Sequence, residues 1–171
     1  MNSYSMKETM NVASLASKEI EKFLLNTENT VDVINVENDK YFQKKDIDLL
    51  WIRKDKNNEN RVIKVEVKGD RYHYTGNFFI ETISNANKCS PGCFLYSEAD
   101  YFFYYFVYTK ELYILPLKKT RNWFLKNQHR FELKRLSTNI KGKGMIYKSY
   151  GKTVPIDIVL KEVKGTKSIK L

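Results

Sequence analysis

Residues 45–70 read KDIDLLWIRKDKNNENRVIKVEVKGD, two apolar runs separated by a polar turn from Asp55 to Asn60. Alternation in the second run puts Val62, Lys64, Glu66 and Lys68 on one face of a strand, and Ile63, Val65 and Val67 on the other. In the first run Asp48 falls on the face opposite Ile47, Leu49 and Trp51. Paired as a hairpin, the two strands bring Asp48 beside Glu66 and Lys68. Two carboxylates and an ammonium on adjoining strands make a site for a hard cation with a positive group next to it.

Upstream, residues 6–25 carry Val12, Ala13, Leu15, Ala16, Ile20, Phe23 and Leu24 at helical spacing. Glu19 lands inside that stripe, between Leu15 and Phe23, whereas Glu21 lands on the wet face. A carboxylate turned toward the core is costly without a partner, so Glu19 either sits at a rim beside a lysine or belongs to the site. Val31 to Val36 alternates as a short strand. Downstream, Phe78 to Ile83 is apolar, and Tyr101 to Tyr108 is aromatic on both faces, as a central strand requires. Glu111 to Leu115 reads as a strand stopped by Pro116, and Leu117 to Phe131 as a helix. Met145 to Tyr150 and Thr153 to Leu160 read as strands, with Pro155 confining the second to an edge. The expected fold is one α/β (α+β) domain: a central mixed β-sheet flanked by helices, a core over about residues 6–131, and a basic C-terminal extension over about 132–171.

The net charge of +10 over 171 residues is unevenly placed. From Leu117 onward fifteen basic residues face three acidic ones, while the chain before it is close to neutral. That distribution points to a polyanionic partner such as nucleic acid. Cys89 and Cys93 flank Ser-Pro-Gly with no second pair to complete a zinc tetrahedron, and His73 and His129 are not spaced to supply one. They read as structural or incidental thiols of a reducing compartment. The opening residues lack a signal-peptide layout, and the longest apolar stretch is too short to cross a bilayer. A cytoplasmic protein without membrane contact is expected.

Glu66-Val67-Lys68-Gly69 recurs letter for letter as Glu162-Val163-Lys164-Gly165. The second copy lacks context, because its nearest upstream acid, Asp157, falls in the same predicted strand on the opposite face. The first copy has Asp48 across a hairpin and Glu19 on a preceding helix. Over these residues, in helix-strand-strand-strand order, the chain resembles the PD-(D/E)XK nuclease superfamily, the restriction-endonuclease-like fold. Gln43-x-x-Asp46-Ile47-Asp48, Gly76-Asn77, Glu81 and Ser97-x-Ala99-Asp100-Tyr101 resemble a phage and mobile-element branch of it. The likeness spans roughly residues 12–125 and departs at Ile47, where proline is frequent.

The resemblance implies a Mg2+-dependent endonuclease acting on DNA, with Mn2+ as a substitute ion. Asp48 and Glu66 would hold the metal with the Val67 carbonyl as a third oxygen, Asp46 being the alternative to Asp48. Lys68 would contact the attacking water or the scissile phosphate, and Glu19 would act through water or a second metal. Arg71, Tyr72, His73, Lys118, Lys119 and Arg121 are candidate nucleic-acid contacts, through phosphate charge or base stacking. Family members often form homodimers. The competing reading is a nucleic-acid-binding protein that keeps the fold without turnover.

Overall fold

A computed structural model describes residues 6–88, 90–139 and 146–171. The hairpin forms as the alternation predicts. Strands β1 (Thr30–Asn35), β2 (Leu49–Lys54) and β3 (Asn60–Asp70) run antiparallel in sequence, with Leu49 opposite Val65 and Lys54 opposite Asn60. Asp55 organises the turn: its Oδ1 accepts the N–H groups of Asn57 at 2.8 Å and Glu59 at 3.1 Å, and Asn58 adopts a left-handed φ of 61°. Asn tolerates that conformation better than most side chains.

Further along come β4 (Asn77–Asn85), β5 (Ser90–Pro91), β6 (Tyr101–Phe106), β7 (Glu111–Pro116), β8 (Glu132–Asn139), β9 (Ile146–Pro155) and β10 (Lys167–Lys170). The helices are α1 (Met6–Leu25), α2 (Lys40–Gln43), α3 (Cys93–Tyr96), α4 (Leu117–Asn127) and α5 (Ile156–Glu162). Six strands form the central sheet in the order β1-β2-β3-β6-β7-β10, mixed because β6 runs parallel to β3. Four strands, β5-β4-β9-β8, form a second sheet that the sequence did not foretell.

Strand β6 divides the interior. Phe103 and Tyr105 face α1 and pack with Ala16, Ile20, Leu24 and Val65, whereas Phe102, Tyr104 and Phe106 face Phe78, Phe94, Phe124 and Val154 of the other layer. Each such side chain taken wholly from water contributes about 1.5–3 kcal/mol. Side chains paired across a sheet share a face. Glu66 and Lys68, opposite Phe102 and Tyr104, therefore point into the second layer and away from α1.

Three expectations need correction. The segment 132–171 is no extension, since β9 pairs with β4 and β10 completes the central sheet beside β7. Its first strand escaped notice because Glu132 to Leu136 are all exposed and show no alternation. The strand expected over 153–160 is the end of β9 followed by α5: Val159 and Val163 are buried four residues apart with Ile156 packed alongside, a helical spacing that Pro155 introduces. On α1 the apolar stripe is rotated, leaving Leu15 43% exposed while Ala16 is fully buried. The basic loop at 141–144 lies outside the described residues.

Helix α1 sits so close to β3 that a Cβ on Gly69 would lie 2.8 Å from Ala16 Cβ and 2.9 Å from the Val12 carbonyl oxygen. Gly69→Ala should cost about 1–3 kcal/mol through overpacking, measured by urea denaturation. Unchanged stability would contradict this helix placement.

Candidate metal centre

The site forms where β2 begins. Asp48 precedes the first residue of that strand, and its N–H donates to the Val65 carbonyl at 2.9 Å. Its Oδ2 accepts the Val67 N–H at 2.8 Å, so the side chain continues the ladder after the backbone has turned away. The Asp48 carbonyl in turn accepts the Val36 N–H at 2.8 Å, which ties the corner to the end of β1. Because Val67 donates toward Asp48, strand geometry directs its carbonyl to the same side, past the start of β2.

Glu66 lies beside this corner, 6% exposed, with a buried Oε2 that has no hydrogen-bond partner. Asp46 joins it from the loop before Asp48. Its backbone is held at a left-handed φ of 53°, its carbonyl accepts from Ser97 Oγ at 2.8 Å, and its Oδ1 accepts from Tyr96 Oη at 3.4 Å. Asp46 Oδ2 is also buried without a partner. The third group is Cys93. Single ligand atoms of Asp46, Glu66 and Cys93 lie within 4.8 Å of one another, the one such cluster among the described residues.

The electrostatics follow from crowding and burial. Burial, followed by the charges of Asp48 and Asp46, raises the Glu66 carboxyl well above the usual range. Burial also lifts Asp48 to about 6, against the opposing Val67 N–H, and raises Asp46. Glu66 therefore resists ionisation most strongly where its two acidic neighbours are themselves charged. Burial pushes the Cys93 thiol far up as well. Around Lys68 burial favours the neutral amine, but Cys93, Glu81, Asp70 and Glu66 outweigh it and the pKa rises. Since Cys93 is an uncharged thiol at neutral pH, the carboxylates supply that effect. Lys68 stays an ammonium.

Helix α3, which carries Cys93, is fixed from two sides. Arg121 donates from Nε to the Phe94 carbonyl at 2.8 Å and from Nη2 to the Ser97 carbonyl at 2.6 Å. Gly92 presses on β4 so closely that a Cβ there would meet the Glu81 carbonyl oxygen at 2.0 Å.

Not every expected residue reaches this centre. Asp48, Glu66, Val67 and Lys68 do. Glu19 lies across the central sheet, where its Oε2 accepts from Tyr105 Oη at 2.5 Å and its Oε1 pairs with Lys110 at 3.7 Å. The α1 face and the Glu66 face are opposite sides of one sheet, so the sequence placed Glu19 wrongly. It is a rim carboxylate with a lysine partner. Arg121 is committed to α3 and does not stand free for phosphate. Lys118 and Lys119 are exposed on the first turn of α4. His73 and Tyr74 are exposed on a short 3-10 turn after β3, ring edge against ring at 5.9 Å, and the Arg71 guanidinium lies 5.8 Å from the Tyr72 ring centroid.

Two ligand candidates came through weakly in the sequence. Asp46 stood there only as an alternative to Asp48, and Cys93 was read as incidental. In the second EVKG copy both Glu162 oxygens accept Arg130 hydrogen bonds at 2.9 Å at the end of α5, and Trp123 Nε1 donates a third. Its carboxyl is held down to about 2 by those bonds. Among the described residues no helix is long and apolar enough to cross a membrane. Comparison with protein-family models, curated proteins and solved structures gives no match.

An acid whose pKa is raised on folding holds its proton more firmly in the native state. Its contribution to stability is intact below the unfolded value and is lost as pH rises through the folded one. For Asp48 that window runs from 3.8 to about 6, and for Glu66 from 4.5 upward. In EDTA the protein should therefore lose stability above pH 5. Glu66→Gln should be more stable than the parent at pH 8, by on the order of 1–3 kcal/mol, and similar to it at pH 4. Denaturation midpoints across pH check this, and a Gln variant weaker at both pH values would contradict it.

Proposed function

We propose that the chain is a metal-dependent nuclease of the PD-(D/E)XK type, with a restriction-endonuclease-like core, hydrolysing phosphodiester bonds in DNA. The observation that carries this reading is Glu66 Oε2, a buried acceptor with no donor, set between Asp46 and Asp48 with Lys68 two residues along the same strand face. Such a cluster is costly as it stands and suits a divalent cation. Asp48 and Glu66 would hold Mg2+ or Mn2+, with Asp46 and the Val67 carbonyl as the other oxygens at hand. When bound, the ion supplies Lewis acidity and a more acidic water.

The chain's own residues do the rest. Lys68, kept protonated by its carboxylate neighbours, stabilises the negative charge that grows on the phosphate oxygens, a role that suits it better than that of base. Sheet register favours a polyanion at this end. Leu49, Val65, Tyr101 and Pro116 lie side by side across four strands, so Lys118 and Lys119, which follow Pro116, sit at the same end of the sheet as the acidic corner. Their charges would position a phosphate backbone without reading its sequence.

Plasmid nicking tests the proposal. Cleavage should require Mg2+ or Mn2+ and stop in EDTA. Glu66→Ala and Lys68→Ala should each lower it by roughly 100-fold or more, while Glu162→Ala leaves it intact. Cleavage that survives Glu66→Ala would refute the assignment, and salt-sensitive binding without any cleavage would favour the non-catalytic alternative.

A further inference from the structure

We propose that Asp46, Glu66 and Cys93 form a mixed carboxylate–thiolate position that binds a borderline-soft divalent cation of the Zn2+, Co2+ or Cd2+ class. The position shares Glu66 and Asp46 with the nuclease reading but does not require nuclease activity.

Three observations carry it. The first is spacing. Metal–oxygen and metal–sulfur bonds of about 2.0–2.3 Å put two ligands of one tetrahedral ion roughly 3.3–3.8 Å apart, and the three ligand atoms here already lie within 4.8 Å of one another. The second is unmet demand. Asp46 Oδ2 and Glu66 Oε2 are both buried without a donor, and the Glu66 residue is only 6% exposed. Carboxylates alone would serve a hard ion, but Cys93 places sulfur in the same cluster, and thiolate ligands select softer metals than Mg2+.

The third observation is that the position is assembled in advance. Ser97 and Tyr96, at the end of the turn that begins with Cys93, hold the Asp46 carbonyl and carboxylate, and Asp46 keeps a left-handed backbone there. Arg121 fixes the same turn through the Phe94 and Ser97 carbonyls. A non-glycine residue in that conformation persists where its surroundings over-determine it. Asp46 and Cys93 thus belong to one rigid unit that faces Glu66. Metal binding would form a metal–sulfur bond and release the thiol proton to solvent.

Co2+ titration of the full chain, read by absorption, tests this. The unaltered protein should show a sulfur-to-cobalt charge-transfer band that Zn2+ abolishes by displacement. Cys93→Ser should lose the band and weaken Zn2+ binding by roughly 10–100-fold or more, and Glu66→Gln should weaken both signals. Cys89→Ser, which removes the chain's other thiol, should keep the band. A band that persists in Cys93→Ser, Co2+ bound with no charge-transfer band, or no Co2+ binding would each overturn the proposal. Mg2+-dependent nicking by the unaltered chain decides the nuclease reading separately, so failure of one is distinguishable from failure of the other.

Discussion

The arrangement depends on crowding negative charge in a place that water barely reaches. Asp46, Asp48 and Glu66 converge where β2 starts, and two of their oxygens have no donor. Isolated buried charge is among the most unfavourable things a fold can contain, so such groups neutralise or find a counter-charge. Here burial and its acidic neighbours make the Glu66 carboxyl resist ionisation, and a cation would relieve the crowding. The surroundings hold the corner in this state: Val67 and Val65 fix Asp48, and Ser97 and Tyr96 fix Asp46.

The central sheet explains why the acidic cluster sits on one side only. Strand β6 turns Phe103 and Tyr105 toward α1, and Phe102 and Tyr104 toward the second layer. Its parallel pairing with β3 assigns Glu66 and Lys68 to that second layer. Asp100 secures the pairing, since its Oδ2 accepts the Lys64 N–H and its own N–H donates to the Lys64 carbonyl, both at 2.8 Å. The α1 face is thereby left to apolar packing, with Glu19 satisfied at its rim.

Much of this was legible in the sequence because strand alternation is a local property. The pairing of β2 with β3, the shared face of Glu66 and Lys68, and the buried aromatic strand all follow from residue parity. What could not be read was tertiary. Helical periodicity puts Glu19 on the inward stripe of α1 but is silent on which side of the sheet the helix covers. Cys93 has no motif around it, and only the contact of α3 with the Asp46 loop brings it to the carboxylates. Residues 132–136, exposed throughout, carry no pattern that would announce a second sheet. Where β9 passes into α5, the strand-like letters Val-Pro-Ile-Asp-Ile-Val concealed a helical spacing that begins after the proline.

Anomalous diffraction from crystals equilibrated with Mn2+ tests this metal centre most directly. A peak is expected bounded by the carboxylates of Asp48 and Glu66, with Asp46 at its edge and the Lys68 ammonium close by. A map with no peak among these side chains, or one whose manganese sits elsewhere on the chain, would contradict it.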